Sequence, residues 1–360
     1  MKKGIHEDFN LEYLKKVKKA PKRRLKDLLE LHTKDELESI YSTLSNREPS
    51  GNKKILIKKI EKLLNDMGVL ERNLNLLVEY EYDLIKELIE NNGVITNNDI
   101  DTIKYGFLEY SGLIYFYNLD GKIYTVMPDE IINEMEDIEI KNKVIKNTRL
   151  YDFSVAVVNL YGAIPLSVYI QYAMDYLNYD NPREINFDCV LVDERRECLA
   201  LVNGFNNENE MYLRKPNYLD DEEDAIDTFD VVTKDEDILF DVPYKKLPLK
   251  ELLNYKDFFY YERTDDVIKL ENLLKNNSKK MTEKDIDLSV GVIVNQFRVN
   301  YDNGMKTLNE MLEEANLNIT SKNYNEVMKI ITNIIMNVPL WGSKGYTYKE
   351  IILGKFDKKD

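Results

Sequence analysis

Few residues of this chain could carry reaction chemistry. Its 360 residues include two histidines, His6 and His32, and two cysteines, Cys189 and Cys198. Acid–base or nucleophilic catalysis needs a nucleophile, a base and a group that orients the base, and no such trio assembles here. His32 ends the apolar face Leu25–Leu28–Leu29 and reads as a partly buried helix-end residue outside any pocket. Cys189 and Cys198 have neither a disulfide framework nor a zinc spacing and read as small buried hydrophobes in a strand pair. The acidic run Asp220-Asp221-Glu222-Glu223-Asp224, with Asp227 and Asp230, lacks alternating oxygen ligands and a sharp glycine turn. It reads as a solvated acidic loop. With no glycine-rich phosphate loop either, the expectation is a protein with no cofactor, no metal and no enzymatic activity.

The residues that point to a partner are basic. Lys54, Lys58 and Lys62 fall at i, i+4, i+8, on one side of a predicted helix whose other side holds Leu56, Ile60, Leu63 and Leu64. Together with Lys22, Arg23, Arg24, Lys53 and Lys59 they form the candidate set for contact with nucleic-acid phosphate. Residues 1–68 hold 17 Lys+Arg against 11 Asp+Glu, whereas the other 292 hold 33 against 54. A basic head on an acidic body suits a module that meets phosphate while the body repels it. The ordinary alternative is that the lysines are the solvated face of a surface helix. The acidic body suggests a second kind of partner, a basic protein, which the chain would engage as an adaptor or a DNA mimic.

The elements that would position these lysines are legible around them. Thr33 and Glu36 have the spacing of a capping box, and Leu37, Ile40, Tyr41 and Leu44 mark one face of the helix that follows. Pro49-Ser50-Gly51 then breaks the pattern. Residues 21–66 resemble the N-terminal domain of Rho termination factor and the related SAP-type modules. The resemblance is carried by Leu28-Leu29, by Thr33-Lys34-Asp35-Glu36-Leu37, and by Lys53-Lys54, Ile57 and Ile60. It covers about an eighth of the chain and implies a helix–loop–helix fold with a nucleic-acid contact. The loop Ser45–Gly51 carries one Arg and one Glu where such modules are rich in basic residues. No oligonucleotide-binding barrel or ATP loop follows, so termination activity is not implied.

Taken in order, the chain predicts an α+β protein, mainly α, with segments at 1–68, 69–147, 148–245 and 246–360. Leu11, Leu14 and Val17 suggest a lead-in helix. Val69–Asn92 reads as one long helix, and Gly93-Val94-Ile95-Thr96 as a short strand. A helix capped by Asn98 should run to Leu108, followed by a hairpin turning at Asp120-Gly121. This is the order of a winged helix. Gly162-Ala163-Ile164-Pro165 repeats the short strand before a helix to Leu177, and Ile185–Val192 and Cys198–Val202 read as a second strand pair. The result is a second winged-helix-like unit. The helix before the first hairpin offers only Lys104, and the 166–178 helix has no Lys or Arg, so neither suits DNA reading.

From Leu247 a helical domain is expected, with helices near 283–298, 302–315 and 321–336. The aromatic run Tyr255–Tyr261 should be core or interface, and Trp341 should lock the last helices together. The stretch Asn337-Val338-Pro339-Leu340-Trp341, then Lys344-Gly345-Tyr346-Thr347, resembles the segment that precedes SEC-C metal motifs in uncharacterised bacterial proteins. The Cys-rich tail does not accompany it, so no zinc is implied. The whole layout is similar to a group of uncharacterised Firmicutes and phage proteins. No run reaches the ~20 apolar residues of a membrane span, and the start is not a signal peptide, so a cytoplasmic protein with no membrane partner is expected. Asp66-Met67-Gly68 should form a joint that leaves residues 1–68 as an independent head.

Overall fold

Thr33 opens the clearest helix of the molecule. In the computed structural model its Oγ1 accepts the Glu36 N–H at 3.2 Å, and Glu36 Oε2 accepts the Thr33 N–H at 2.7 Å. The structure describes residues 14–20, 22–135, 140–192, 200–203, 211–214, 242–277, 281–299, 301–314 and 324–356. They are mainly helical, with two small antiparallel sheets. The chain divides into two units, Met1–Tyr151 with Asn186–Cys198, and Asp152–Ile185 with Leu199–Asp360. No helix among the described residues is long and apolar enough to cross a membrane.

The first unit begins with α1 (Leu25–Leu29), α2 (Lys34–Ser45) and α3 (Lys53–Leu64). Asn52 caps α3, its Oδ1 accepting the Ile55 N–H at 3.1 Å. Leu25, Leu28, Leu29, Leu37, Ile40, Leu44, Leu56, Ile57, Ile60 and Leu64 bury one continuous face, and Tyr41 and Leu63 are only partly covered. The same core continues into α4 (Met67–Leu74), α5 (Glu79–Glu90) and the sheet that follows. The Leu25 N–H also donates to Glu130 Oε2 at 2.9 Å. The expected joint at Asp66–Gly68 is thus a helix junction inside a shared core: charge changes sign there, but packing does not stop.

Periodicity predicts one helix over 69–92, and the structure breaks it between α4 and α5. Asn147 Nδ2 donates to the carbonyls of Asn75 at 2.7 Å and Leu77 at 3.1 Å, and Asn186 Nδ2 reaches Asn75 O at 3.3 Å. Carbonyls served by side chains no longer need helical partners. Glu81 Oε2 then takes the Val78 N–H to start α5.

Next come β1 (Val94–Thr96), a 3₁₀ turn (Thr102–Tyr105), α6 (Gly106–Tyr110), β2 (Tyr115–Leu119) and β3 (Lys122–Val126). Asn98 does not cap a helix. Its Oδ1 accepts the Ile123 N–H at 3.0 Å, which delays helix formation to residue 102. The sheet order is β1-β3-β2, with Val94 opposite Val126 and Tyr115 opposite Val126. Asp120 and Gly121 both take positive φ, 51° and 77°, as a two-residue turn matched to strand twist requires. The expected lead-in helix is also absent from the described residues 14–20. Val17 N–H donates to Asn118 O at 2.9 Å and Asn118 N–H to Lys15 O at 2.9 Å, so the backbone runs extended beside β2. Then follow α7 (Asp129–Met135) and α8 (Lys141–Tyr161), which passes from the first unit into the second.

The second unit repeats the pattern with β4 (Ala163–Pro165), α9 (Leu166–Leu177), and later β5 (Ala200–Asn203) and β6 (Met211–Arg214). The order β4-β6-β5 matches the first sheet. Gly93 and Gly162, each just before the first strand of its sheet, share positive φ values of 79° and 74°. Ile185–Val192 is not a strand. A 3₁₀ turn (Pro182–Glu184), capped by Asn181, leads to α10 (Phe187–Val190) in the first unit, and Cys189 is buried there. A short apolar run without alternation suits a buried helix turn as well as a strand. Residues 193–199, including Cys198, and the acidic run 220–230 lie outside the described residues.

After α11 (Leu249–Leu252) and a 3₁₀ turn (Leu253–Lys256), α12 (Asp265–Asn277), α13 (Glu283–Val299), α14 (Tyr301–Glu314) and α15 (Tyr324–Asn337) share a core. Leu270, Ile293, Phe297 and Ile331 lie at its centre. α12 was not anticipated, although Thr264 caps it and Val267, Leu270 and Leu274 have helical spacing. Of the aromatic run only Tyr255 is buried, with the Arg298 guanidinium 4.9 Å from its ring centre; Phe258, Tyr260 and Tyr261 are partly covered and Phe259 is 40% exposed. Trp341 does not lie between the last helices. It packs with Ala163, Tyr212 and Val299, and its Nε1–H donates to Asn159 O at 3.0 Å. The last helix among the described residues is α16 (Tyr348–Ile352), capped by Thr347 and Glu350.

Candidate nucleic-acid interface

The eight basic residues separate into two groups. Lys54, Lys58 and Lys62 stand exposed along α3, with no ion pair or hydrogen bond to any described residue. Their spacing follows from the helix: a rise of ~1.5 Å per residue puts them about 6 Å apart, near two nucleotide steps of ~3.4 Å. Leu56, Ile60 and Leu64 bury the opposite face and fix the orientation. Lys22 and Arg24, before α1, are exposed as well, with side chains unpaired among the described residues.

The other three have local duties. Lys53 Nζ donates to Glu30 O at 2.8 Å, serving a carbonyl at the end of α1. Lys59 Nζ donates to Ser50 O at 2.8 Å and Ser50 Oγ at 2.9 Å, and lies 5.2 Å from the Tyr41 ring centre. It therefore ties the 45–51 loop to α3. Arg23 pairs with Asp129 Oδ1 at 3.0 Å. Their cationic character alone does not separate these residues from the free lysines; the nearby carbonyls and carboxylate do.

A cavity in the same unit contains chemistry that the sequence only half discloses. His32, 6% exposed, lines a space of about 360 Å³ with Lys15, Glu36, Glu109 and apolar neighbours. Its Nδ1 lies 3.2 Å from Glu36 Oε2, and Lys15 Nζ lies 3.5 Å from the same oxygen. Burial lowers the His32 pKa to about 4, helped by Lys15 and Lys53 and opposed by Glu36. The ring is therefore neutral at pH 7. With Nδ1–H donating to Glu36, Nε2 presents a lone pair, and this buried atom has no hydrogen-bond partner. Glu109 is raised to about 7 by burial and by the charge of Glu36, against the pull of the Phe116 N–H. The His32/Glu36 spacing of i, i+4 was visible in sequence; Glu109 reaches them only through the fold. The expectation that His32 lies outside any pocket is corrected here.

Comparison with protein-family models, with curated proteins and with solved structures finds no match to this chain.

Proposed function

We propose that this protein is a non-catalytic, nucleic-acid-associated regulatory protein that meets phosphate through α3. The observation that carries the reading is the exposed, unpaired row Lys54, Lys58 and Lys62 on a helix whose other face buries Leu56, Ile57, Ile60 and Leu64. Lys22 and Arg24 add exposed charge in the same unit. The helix–turn–helix of α2 and α3, with Lys59 bracing the loop, accords with the resemblance of residues 21–66 to Rho N-terminal and SAP-type modules.

The two sheets fit winged-helix-like units, each with helix, short strand, helix and hairpin, and with the first strand beside the third. In this reading they are scaffolds rather than DNA readers. Lys104, the one cation on the segment before the first hairpin, lies 4.5 Å from the Tyr80 ring centre, and α9 carries no Lys or Arg.

The test is the salt dependence of binding to a duplex and to a single strand. Each phosphate contact contributes a slope of ~0.9 on duplex DNA or ~0.7 on a single strand. The triple variant Lys54→Gln/Lys58→Gln/Lys62→Gln should flatten the log–log plot by about 2.7 or about 2.1 respectively. An unchanged slope rejects α3 as the contact.

A second reading draws on the 33 Lys+Arg against 54 Asp+Glu outside residues 1–68. In it the chain is an acidic interaction factor, an adaptor or DNA mimic, that engages a basic protein without touching nucleic acid. The absence of nucleic-acid binding even at low salt, together with retention of a basic partner, would favour it.

A further inference from the structure

The chain entering α1 is the most densely cationic part of the sequence. Lys15-Lys16-Val17-Lys18-Lys19-Ala20-Pro21-Lys22-Arg23-Arg24 holds seven Lys and Arg and no Asp or Glu. The fold pins this segment at both ends. Val17 N–H donates to Asn118 O and Asn118 N–H to Lys15 O, each at 2.9 Å, and Lys15 Nζ lies 3.5 Å from Glu36 Oε2. At the other end Asp129 N–H donates to Arg23 O at 3.0 Å, and Arg23 Nη2 meets Asp129 Oδ1 at 3.0 Å. Lys15 and Arg23 are thus held by the protein itself. The other five, Lys16, Lys18, Lys19, Lys22 and Arg24, are exposed, with side chains unpaired among the described residues. Val17 packs on the core between Lys16 and Lys18, as strand alternation requires. Lys15 and Lys53 both stand near enough to His32 to disfavour its charged form, so the segment begins beside the first turn of α3.

We infer that residues 15–20 and 22–24 form an ordered cationic strap along which a phosphodiester backbone lies, with Lys16, Lys18 and Lys19 as contacts additional to those of α3. The inference rests on the reading that α3 meets phosphate. Alternate residues of an extended segment stand about 7 Å apart, near two nucleotide steps of ~3.4 Å. A repeating polyanion therefore matches Lys16 and Lys18 as it matches the row on α3. A segment already held at both ends loses little freedom on binding. An anionic membrane suits it less. Basic segments that seek a bilayer surface add apolar side chains that enter it, whereas Leu14 and Val17 pack inward. An acidic protein would call for an apolar or aromatic anchor, and the exposed described residues of the strap are Lys, Arg and Ala20.

Duplex and single strand share this backbone, so the full chain is titrated by fluorescence anisotropy into a mixed-sequence duplex and into oligothymidine, between about 50 and 200 mM salt. Lys16→Gln/Lys18→Gln/Lys19→Gln should flatten the log–log salt plot by about 2.7 on the duplex or about 2.1 on the single strand. A loss confined to one of the two assigns the strap to that form. The matched control Lys34→Gln/Lys86→Gln/Lys143→Gln removes the same charge from lysines already engaged, by Glu38 at 2.7 Å, Asp83 at 3.9 Å and Asn75 Oδ1 at 2.8 Å. It should flatten the plot by less than one contact, about 0.9. All six of these lysines are exposed, and thermal unfolding checks that each variant folds. Equal flattening by strap and control variants overturns the inference, because net charge alone then explains the effect. An unchanged slope in the strap variant, beside a flattened one in Lys54→Gln/Lys58→Gln/Lys62→Gln, overturns the strap and leaves α3 standing. No binding by the parent at the lowest salt, or unchanged slopes in both triple variants, overturns both. Tighter binding of phosphatidylserine vesicles than of either oligonucleotide overturns the choice of partner.

Discussion

His32 and Glu109 should give the first unit two opposing pH dependences that nearly cancel, and removing either group should expose the other. His32 moves from an ordinary 6.5 to about 4 because burial disfavours its charged form. Between those values the unfolded chain binds a proton that the folded state refuses, so stability rises with pH through this window. Glu109 moves from 4.5 to about 7, through burial and the neighbouring Glu36. Between those values the folded state holds a proton that the unfolded chain has released, so stability falls as pH rises. At ~1.4 kcal/mol per tenfold change in proton affinity, each displacement is worth roughly 3 kcal/mol. The windows overlap from about 4.5 to 6.5, and there the slopes have opposite sign and similar size.

Glu109→Gln should therefore gain stability relative to the parent as pH rises from about 4.5 to 7, by roughly 3 kcal/mol. His32→Gln should change in the opposite sense, gaining relative to the parent as pH falls from about 6.5 to 4. Urea unfolding followed by circular dichroism in half-unit steps across this range measures both differences. Taking differences from the parent removes the background of other carboxylates. A parent-minus-variant difference that stays flat within about 0.5 kcal/mol would refute the reasoning, because it would mean that the side chain titrates alike in both states.

Two packing predictions follow from the fold. Asn147→Ala removes the amide that serves the carbonyls of Asn75 and Leu77. Asn186 Nδ2 still reaches Asn75 O, so the Leu77 carbonyl is the buried acceptor left unmet; stability should fall by roughly 1–3 kcal/mol, and a shift of the urea midpoint at constant slope checks it. Gly162→Ala meets two penalties together: φ is 74°, and a Cβ would stand 2.7 Å from the Trp341 ring. A loss of more than about 1 kcal/mol is expected, and the single Trp fluorescence should shift toward that of exposed indole.

Much of the local structure was settled by sequence alone because its causes lie within a few residues. The Thr33/Glu36 cap, the Asp120-Gly121 turn, the periodic faces of α2 and α3, and helices α13 to α15 depend on neighbours at i+3, i+4 or across a two-residue loop. Their free energy is local, so residue types at those spacings suffice. The eight basic residues were equally legible as a set, but their division was not. Whether a lysine faces solvent, as Lys54 does, or serves Glu30 O or Ser50 O, as Lys53 and Lys59 do, depends on which carbonyl the fold brings near. The break between α4 and α5 was decided by Asn147, and the extended course of Lys15–Val17 by the free edge of β2. Residues 1–68 looked separable because charge is a property of composition. They belong to a larger core because apolar burial is shared by whatever surfaces meet, and Leu25, Leu64, Leu70 and Phe107 meet in one. The juxtaposition of His32 with Glu109 has the same origin: desolvation acts only on groups that folding has already removed from water, so their altered proton affinities existed nowhere in the sequence.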